Sequence, residues 1–292
     1  MFKIGIIGSD NSHAEIFSKL VNIPDPITGD FLFPDFKVTS IFGLDKVRTG
    51  QVAGDGKIGF IAETPEQLMD KVDAVMVVFR HGDLHAEYAL PFIEAGIPTW
   101  IDKPFTIKNE DAKELVSAAR EHNTLLTGGS TCKYTSDILM VKNAVEKGSR
   151  IGILKTASFN FPATLINEYG GIYFYGAHLA EMTMMAFGYD ARSIVVSENN
   201  GIVSAIVKYD KYQVTLHFIP DSKEYYAVLF GENGTIIREI DITGCYLNGF
   251  ERFTAMLRNG KLPLPLEHLY KPVVLLNAVI ESYKTGSEIY LD

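Results

Sequence analysis

Along the first half of the chain, short unbroken apolar runs alternate with stretches whose apolar positions recur every three to four residues. The runs at 2–7, 38–42, 74–79 and 99–101 predict strands, and the periodic stretches at 14–21, 84–95 and 111–122 predict helices. The run at 74–79, AVMVVF, is apolar on both faces, as a central parallel strand covered by helices on each side must be. Phe17, Leu20 and Val21 fall at i, i+3 and i+4, a stripe by which the first helix can lie on such a sheet before Pro24 and Pro26 close it. This alternation predicts βαβ units on a doubly wound parallel sheet of Rossmann type. Residues 24–36, PDPITGDFLFPDF, read as an inserted loop lying over the surface. Asn109 is the expected N-cap of the helix at 111–122, after which 125–127 completes the sheet edge. The boundary is expected at Gly128 and Gly129, giving a dinucleotide-binding domain over 1–128 and an α+β domain over 129–292, whose last helices can pack back on the first domain.

The second half changes period. Strand-like runs at 151–161, 194–197, 202–209, 214–218, 227–230 and 236–240 follow one another with little helix between them. Asn200-Gly201 and Asn233-Gly234 stand where hairpin turns need positive φ, so a large, mainly antiparallel open sheet is expected. Apolar and polar residues partly alternate in GIVSAIVKY and YQVTLHF, which leaves one sheet face for helices and the other for a second subunit. A homodimer or homotetramer built through this sheet is the expected assembly. Helical patterns at 249–257 and 271–283 finish the chain.

A chain of 292 residues with 47% apolar and 22% charged residues has the composition of a two-domain globular protein. The net charge of -9, with no Lys/Arg cluster, argues against a nucleic-acid partner, which requires positive charge to release counterions. No apolar run reaches bilayer length and residues 2–7 lead into a glycine turn rather than a cleavable signal, so a cytoplasmic protein without a membrane partner is expected. Cys132 and Cys245 show no C-x-x-C pairing and read as packing residues; no His or carboxylate spacing suggests a metal.

GIIGSDNSH, Gly5 to His13, lies between a strand and a helix, where a phosphate-binding turn belongs. Against G-x-G-x-x-G, Gly8 keeps one role, Asp10 replaces the second glycine and His13 the third. The cofactor-binding candidates here are Gly8, Ser9, Asp10, Asn11, Ser12 and His13, and the competing reading is an ordinary strand-to-helix turn capped by Asp10, Asn11 or Ser12. Gly43 stands where an acidic residue for the adenosine ribose belongs; Asp45 is the nearest candidate, and loop capping accounts for it equally well. NAD and NADP both remain open, with NAD preferred. A lysine at the carboxyl end of a parallel strand, as at Lys103 beside Pro104, points into the crevice where open α/β sheets bind ligands. Partial burial would move its pKa toward neutrality, letting it exchange a proton with an alcohol or carbonyl oxygen.

The block DAVMVVFRHGDLHAEYALPFIEAGIPTWIDKPFT, residues 73–106, resembles the family of glucose-fructose oxidoreductase, inositol dehydrogenase and MocA proteins. Residues 108–130, the segment GGIYFYGAHLAEMTMMAFG at 170–188 and the end at 251–291 extend the resemblance over nearly the whole chain. The family's turn and histidine-entered helix after the fourth strand are matched by Phe79, Arg80, His81 and His85. Its Glu-Lys-Pro is matched by Asp102, Lys103 and Pro104. The resemblance implies that Lys103 sits between nicotinamide and substrate, and that His178 belongs to the same proton-handling group. Family members carry Asp four residues before that histidine. Here Phe174 stands there, so Tyr175 or Glu181 would have to replace it, or no group does. The catalytic candidates are therefore Lys103, His178 and Tyr175. The implied activity is NAD(P)-dependent hydride transfer to or from a sugar, cyclitol or similar polyol. One rival reading is a non-catalytic NAD(P)- or sugar-sensing protein of the same fold, suggested by Asp10, Gly43 and Phe174; another is redox-assisted cleavage of a glycoside with tightly held NAD.

Overall fold

The computed structural model describes residues 1–148 and 150–291. The chain divides into two compact units, one of Met1–Thr106, Glu110–Gly129 and Gly249–Leu269, the other of Ile107–Asn109, Ser130–Asn248 and Tyr270–Asp292. This differs from a single cut at 128/129, because the segment from Gly249 to Leu269 returns to the first unit.

In the first unit the strands are β1 (Phe2–Ile7), β2 (Phe36–Phe42), β3 (Phe60–Ile61), β4 (Ala74–Val77), β5 (Thr99–Ile101) and β6 (Leu126–Gly128), joined by α1 (Ser12–Asn22), α2 (Lys46–Asp55), α3 (His85–Glu94) and α4 (Asn109–Glu121). They form one parallel sheet in the order β3-β2-β1-β4-β5-β6. The chain winds outward from β1 on one side and from β4 on the other, so the carboxyl ends of these two neighbours flank the switch point where doubly wound sheets bind ligands. All four residues of β4 are buried, as a strand covered on both faces requires. The surface loop at 24–36 has a physical use for its aromatics. Phe31 and Leu32 are exposed, but Phe33 is buried with its ring 4.8 Å from Phe250, which also lies 6.1 Å from Phe17. Phe250 and Phe253 thus tie the returning segment to this core, Phe253 against Trp100 at 5.9 Å. Asn109 opens α4, and its Oδ1 accepts a hydrogen bond from Asn277 Nδ2 (2.8 Å).

The second unit holds α5 (Ser136–Lys147), β7 (Leu154–Phe161), α6 (Ile172–Phe187), β8 (Ser193–Asn199), β9 (Ile202–Lys208), β10 (Gln213–Phe218), β11 (Tyr226–Gly231), β12 (Thr235–Glu239) and β13 (Ile289–Tyr290); α7 (Cys245–Asn259) and α8 (Glu267–Thr285) each begin in one unit and end in the other. The sheet runs β12-β11-β7-β10-β9-β8-β13 and is antiparallel except for β7 and β10, which pair in parallel. Asn200-Gly201 makes its turn with φ of 52° and 79°, as expected. Asn233-Gly234 does not adopt positive φ; that hairpin closes through Gly231 N–H to Gly234 O (2.9 Å). Helix α6 escapes the periodicity because it is apolar almost all round and has no single stripe. Among the described residues no helix is long and apolar enough to cross a membrane.

Candidate functional site

The candidate residues fall into two groups, one in each unit. In the first, Gly8 follows β1 with φ of 103°, and a Cβ there would lie 2.7 Å from the backbone N of Phe79. Only glycine permits the ends of β1 and β4 to approach this closely. Ser9 is turned inward: Thr49 Oγ1 donates to Asp45 O (2.6 Å), so the Ser9 hydroxyl donates to Thr49 (2.8 Å). The Asp10 carboxylate, the misfit for a pyrophosphate, accepts the Arg80 N–H at 3.2 Å and thereby braces the β1 turn against the β4 turn. Asn11 is the N-cap of α1, its Oδ1 accepting from His13 N (3.4 Å), with Ser12 exposed beside it. The Asn11 side chain is buried, and its Nδ2 donor has no partner among the described residues. An orphaned buried donor at a helix N-terminus, next to a glycine with no Cβ in the way, fits an anionic phosphate group.

The ribose-binding candidate is not available in the expected form. Asp45 caps α2, its Oδ1 accepting from Val47 N (2.9 Å) and Arg48 N (3.0 Å). Gly43 cannot be replaced by an acid in place, because a Cβ there would sit 2.2 Å from Ser9 Oγ and 2.4 Å from Thr49 Oγ1. The segment after β2 thus offers no uncommitted carboxylate at this end of the sheet; its two cationic residues in the first turn of α2 are paired, Lys46 with Glu63 (2.8 Å) and Arg48 with Glu15 (2.9 Å).

At the end of β5 the structure joins two departures from the expected motif. His13, in place of the third glycine, and Asp102, in place of the glutamate, meet at 2.5 Å between Nδ1 and Oδ2, both buried. Burial, the largest influence, pushes the Asp102 carboxyl up, but His13, Lys103 and His85 together outweigh it and hold its pKa below the ordinary aspartate value. Lys103 follows directly at the carboxyl end of the strand and is only 3% exposed. The sequence carried a signal for the His13–Asp102 pair, two matched departures at motif positions, but nothing in it stated that they touch.

His85 and Phe79, expected to line a cofactor site, have other tasks. Phe79 is buried, with its ring 4.8 Å from Tyr88. His85 is fully buried, with Nδ1 2.7 Å from Pro104 O and Nε2 3.0 Å from Phe79 O. It staples the loop after β5 to the loop after β4 rather than facing a ligand. Gly82 serves the same junction, since a Cβ there would meet Pro104 Cγ at 2.4 Å. Arg80 and His81 are half-buried in the loop between. Burial dominates the opposing influences and lowers the His85 pKa from 6.5. The unfolded chain therefore takes up a proton at this residue near pH 6.5, and the folded one only at lower pH. Stability is full above that pH and declines as pH falls through it, by up to about 1.4 kcal/mol per unit for this one group. Thermal melts from pH 7.5 to 5.5 check this, and His85→Gln should flatten that part of the profile; an identical slope in the variant would assign the effect elsewhere.

The second group lies on α6 and on the segment before α5. His178 Nδ1 is 2.6 Å from Ser130 Oγ. Of the alternatives left open for the missing aspartate, Tyr175, Glu181 or no group, the structure gives Glu181 another partner. Glu181 is 2.7 Å from Lys133 Nζ in a pair that is 0% and 3% exposed, and Tyr175 is 45% exposed with its ring 6.1 Å from the imidazole. Burial alone would lower the Lys133 pKa; the charge of Glu181 more than reverses this and holds it above the ordinary lysine value. Phe174 packs between Tyr169 (5.0 Å, rings tilted) and Tyr175 (4.7 Å, edge to face). With Asn167, Lys223 and Tyr225 these aromatics line a hollow of about 480 Å³. No sequence signal pointed to Ser130.

Comparisons with known proteins bear on the fold and the family. Residues 2–130 match the oxidoreductase family described as having an NAD-binding Rossmann fold. The chain is 30% identical over 150 residues to the uncharacterized oxidoreductase YhhX of Escherichia coli, covering 47% of this chain and 44% of that protein. It is 24% identical over 253 residues to scyllo-inositol 2-dehydrogenase (NADP(+)) IolU of Bacillus subtilis, covering 78% and 74%. For YhhX and two further curated relatives the chain spans about half their length. The crystal structure of scyllo-inositol dehydrogenase from Lactobacillus casei with NAD(H) and scyllo-inositol superposes with a TM-score of 0.82 at 14% identity, over 99% of each chain, a likeness of fold. Residues 2–130 thus resemble the NAD-binding domain of the Gfo/Idh/MocA oxidoreductase family, and the chain as a whole shares the fold of a solved inositol dehydrogenase.

Proposed function

We propose that the protein is an NAD(P)-dependent oxidoreductase acting on a cyclitol, sugar or similar polyol. The observation that carries this reading is the place of Lys103, nearly buried at the carboxyl end of β5 beside the His13–Asp102 pair. Gly8, Asn11 Nδ2 and the N-terminus of α1 are the groups that would hold the dinucleotide phosphates. A nicotinamide, when bound, supplies the carbon that accepts or returns the hydride. Lys103, as the neutral amine, takes the proton from the substrate hydroxyl during oxidation and, as the ammonium, gives it back during reduction. In the second unit, His178 and Tyr175 are the polar groups proposed to contact the polyol, Tyr175 with a phenolic O–H at the aromatic hollow. The relatives' names support the substrate class: IolU is named for scyllo-inositol.

NADP(H) is proposed as the preferred cofactor, a change from the preference for NAD taken from the sequence. Asp45 is committed to its cap, Gly43 admits no acid, and Lys46 and Arg48 are the cations of this segment that would exchange their pairs with Glu63 and Glu15 for a 2′-phosphate. Fluorescence titration should show NADPH binding at least tenfold more tightly than NADH, and a panel of inositols and sugars followed at the reduced-cofactor absorbance should yield turnover. Tighter NADH binding would overturn the preference; no binding of either would overturn the function. The aromatic surroundings of Phe174 favour one rival, a sensing protein, which would bind cofactor and turn over nothing. The half-buried outer face of the second sheet, with Ile206, Thr215 and Val228 between buried neighbours, is the proposed contact with a second copy of the chain.

A further inference from the structure

Asp102 and Lys103 are neighbours at the end of β5, and the charge of each acts on the other. A carboxylate near an ammonium holds the proton on the lysine, so a lysine that exchanges a proton needs that carboxylate engaged elsewhere. Helix α1 engages it. The Asp102 N–H donates to Val77 O (2.9 Å) at the end of β4, and its side chain meets His13 in the first turn of α1, with Oδ2 2.5 Å from Nδ1. An ionised carboxylate can only accept, so Nδ1 carries the proton of this bond. Both residues are buried, and water screens the contact little. The amino end of an α-helix also favours negative charge, so the 11-residue α1 adds to the pull of the imidazole. His85 of α3 is the other titratable group that bears on Asp102, but its two ring nitrogens face Pro104 O and Phe79 O.

We infer that His13 is a positioning residue that holds the Asp102 carboxylate toward α1, so that Lys103 is not fixed as the ammonium and can lose and regain a proton. The burial of Lys103, 3% exposed, then lowers its pKa with little opposition from the carboxylate beside it. Each of the two residues needs the other. Without Asp102 there is no negative charge to withhold, and without His13 that buried charge falls on Lys103. The use of the proton in turnover rests on the oxidoreductase reading proposed above; the effect of His13 on the lysine does not.

The test is the titration of Lys103 in the full chain labelled with ¹³C-lysine, read at its ε-methylene carbon and identified by the signal lost in Lys103→Arg. The wild-type midpoint should lie below the ordinary lysine value of about 10.4. His13→Ala should raise it by about one unit, and His13→Ala/Asp102→Asn should return it to the wild-type value. His13→Asn, which keeps an amide donor at the place of Nδ1, should recover part of the shift. For polyol oxidation the acid limb of kcat/KM should follow the same shifts. An ordinary midpoint in the wild type or an unmoved one in folded His13→Ala overturns the inference, as does an equal rise in the double variant. Should His13→Ala fail to fold, Asp102→Asn decides. A midpoint within about half a unit of wild type is then expected, and a larger fall shows that the carboxylate already holds the proton on Lys103 and overturns the inference. The titration uses neither cofactor nor substrate, so a chain that turns over no polyol would lose the oxidoreductase reading and keep this result.

Discussion

Alanine in place of Lys103 is expected to lower kcat/KM for the polyol substrate by on the order of a thousandfold, the usual loss when a positioned acid–base group is removed. Cofactor binding should change little, because the phosphate contacts proposed for Gly8 and Asn11 lie on another loop of the sheet edge. Lys103→Arg separates charge from proton transfer. A guanidinium keeps a cation near Asp102 but does not give up its proton near neutral pH, so this variant should recover stability and not turnover. Melting curves accompany the kinetics, since removing the ammonium takes one of the positive charges from a fully buried carboxylate. Turnover within threefold of wild type in folded Lys103→Ala would remove the mechanism.

Breaking the Lys133–Glu181 pair should produce the largest loss of stability. Glu181→Ala leaves an ammonium 0% exposed without its 2.7 Å partner, and removing one member of a buried pair costs about 3–5 kcal/mol. For a unit of this size that lowers Tm by roughly 10 °C or more. The double variant Lys133→Met/Glu181→Leu removes both charges together and should recover most of the loss, since well-packed apolar residues can replace a buried pair. Equal melting of single and double variants would show that the pair contributes packing rather than charge compensation. The pair also matters locally. Glu181 lies one turn after His178 on α6, and Lys133 lies three residues after Ser130, so it anchors the two segments whose contact fixes the imidazole.

Some of the site was legible because it is local. The apolar run at 74–79, the glycine at Gly8 and the Asp-Lys-Pro at 102–104 each express a constraint within a few residues: a strand buried on both faces, a backbone turning with positive φ, a side chain emerging at a strand's end. Their order along the chain then sufficed for the parallel sheet and its ligand edge. Asp45 shows the limit of this reading. Its position after β2 is right for a ribose contact, yet its carboxylate is spent on two backbone N–H groups of α2.

What the sequence determined by itself was the alternation of strands and helices, the two-part organisation, and the presence of a lysine and a histidine at motif positions, because periodicity and turn chemistry act between near neighbours. The tertiary structure alone decided which polar groups are partners: His13 with Asp102 across 89 residues, Ser130 with His178 and Lys133 with Glu181 each across 48, and Asp10 with Arg80 across 70. The physical reason is that a buried donor or acceptor must be satisfied by whatever the fold brings within about 3 Å, and that neighbour has no fixed separation along the chain.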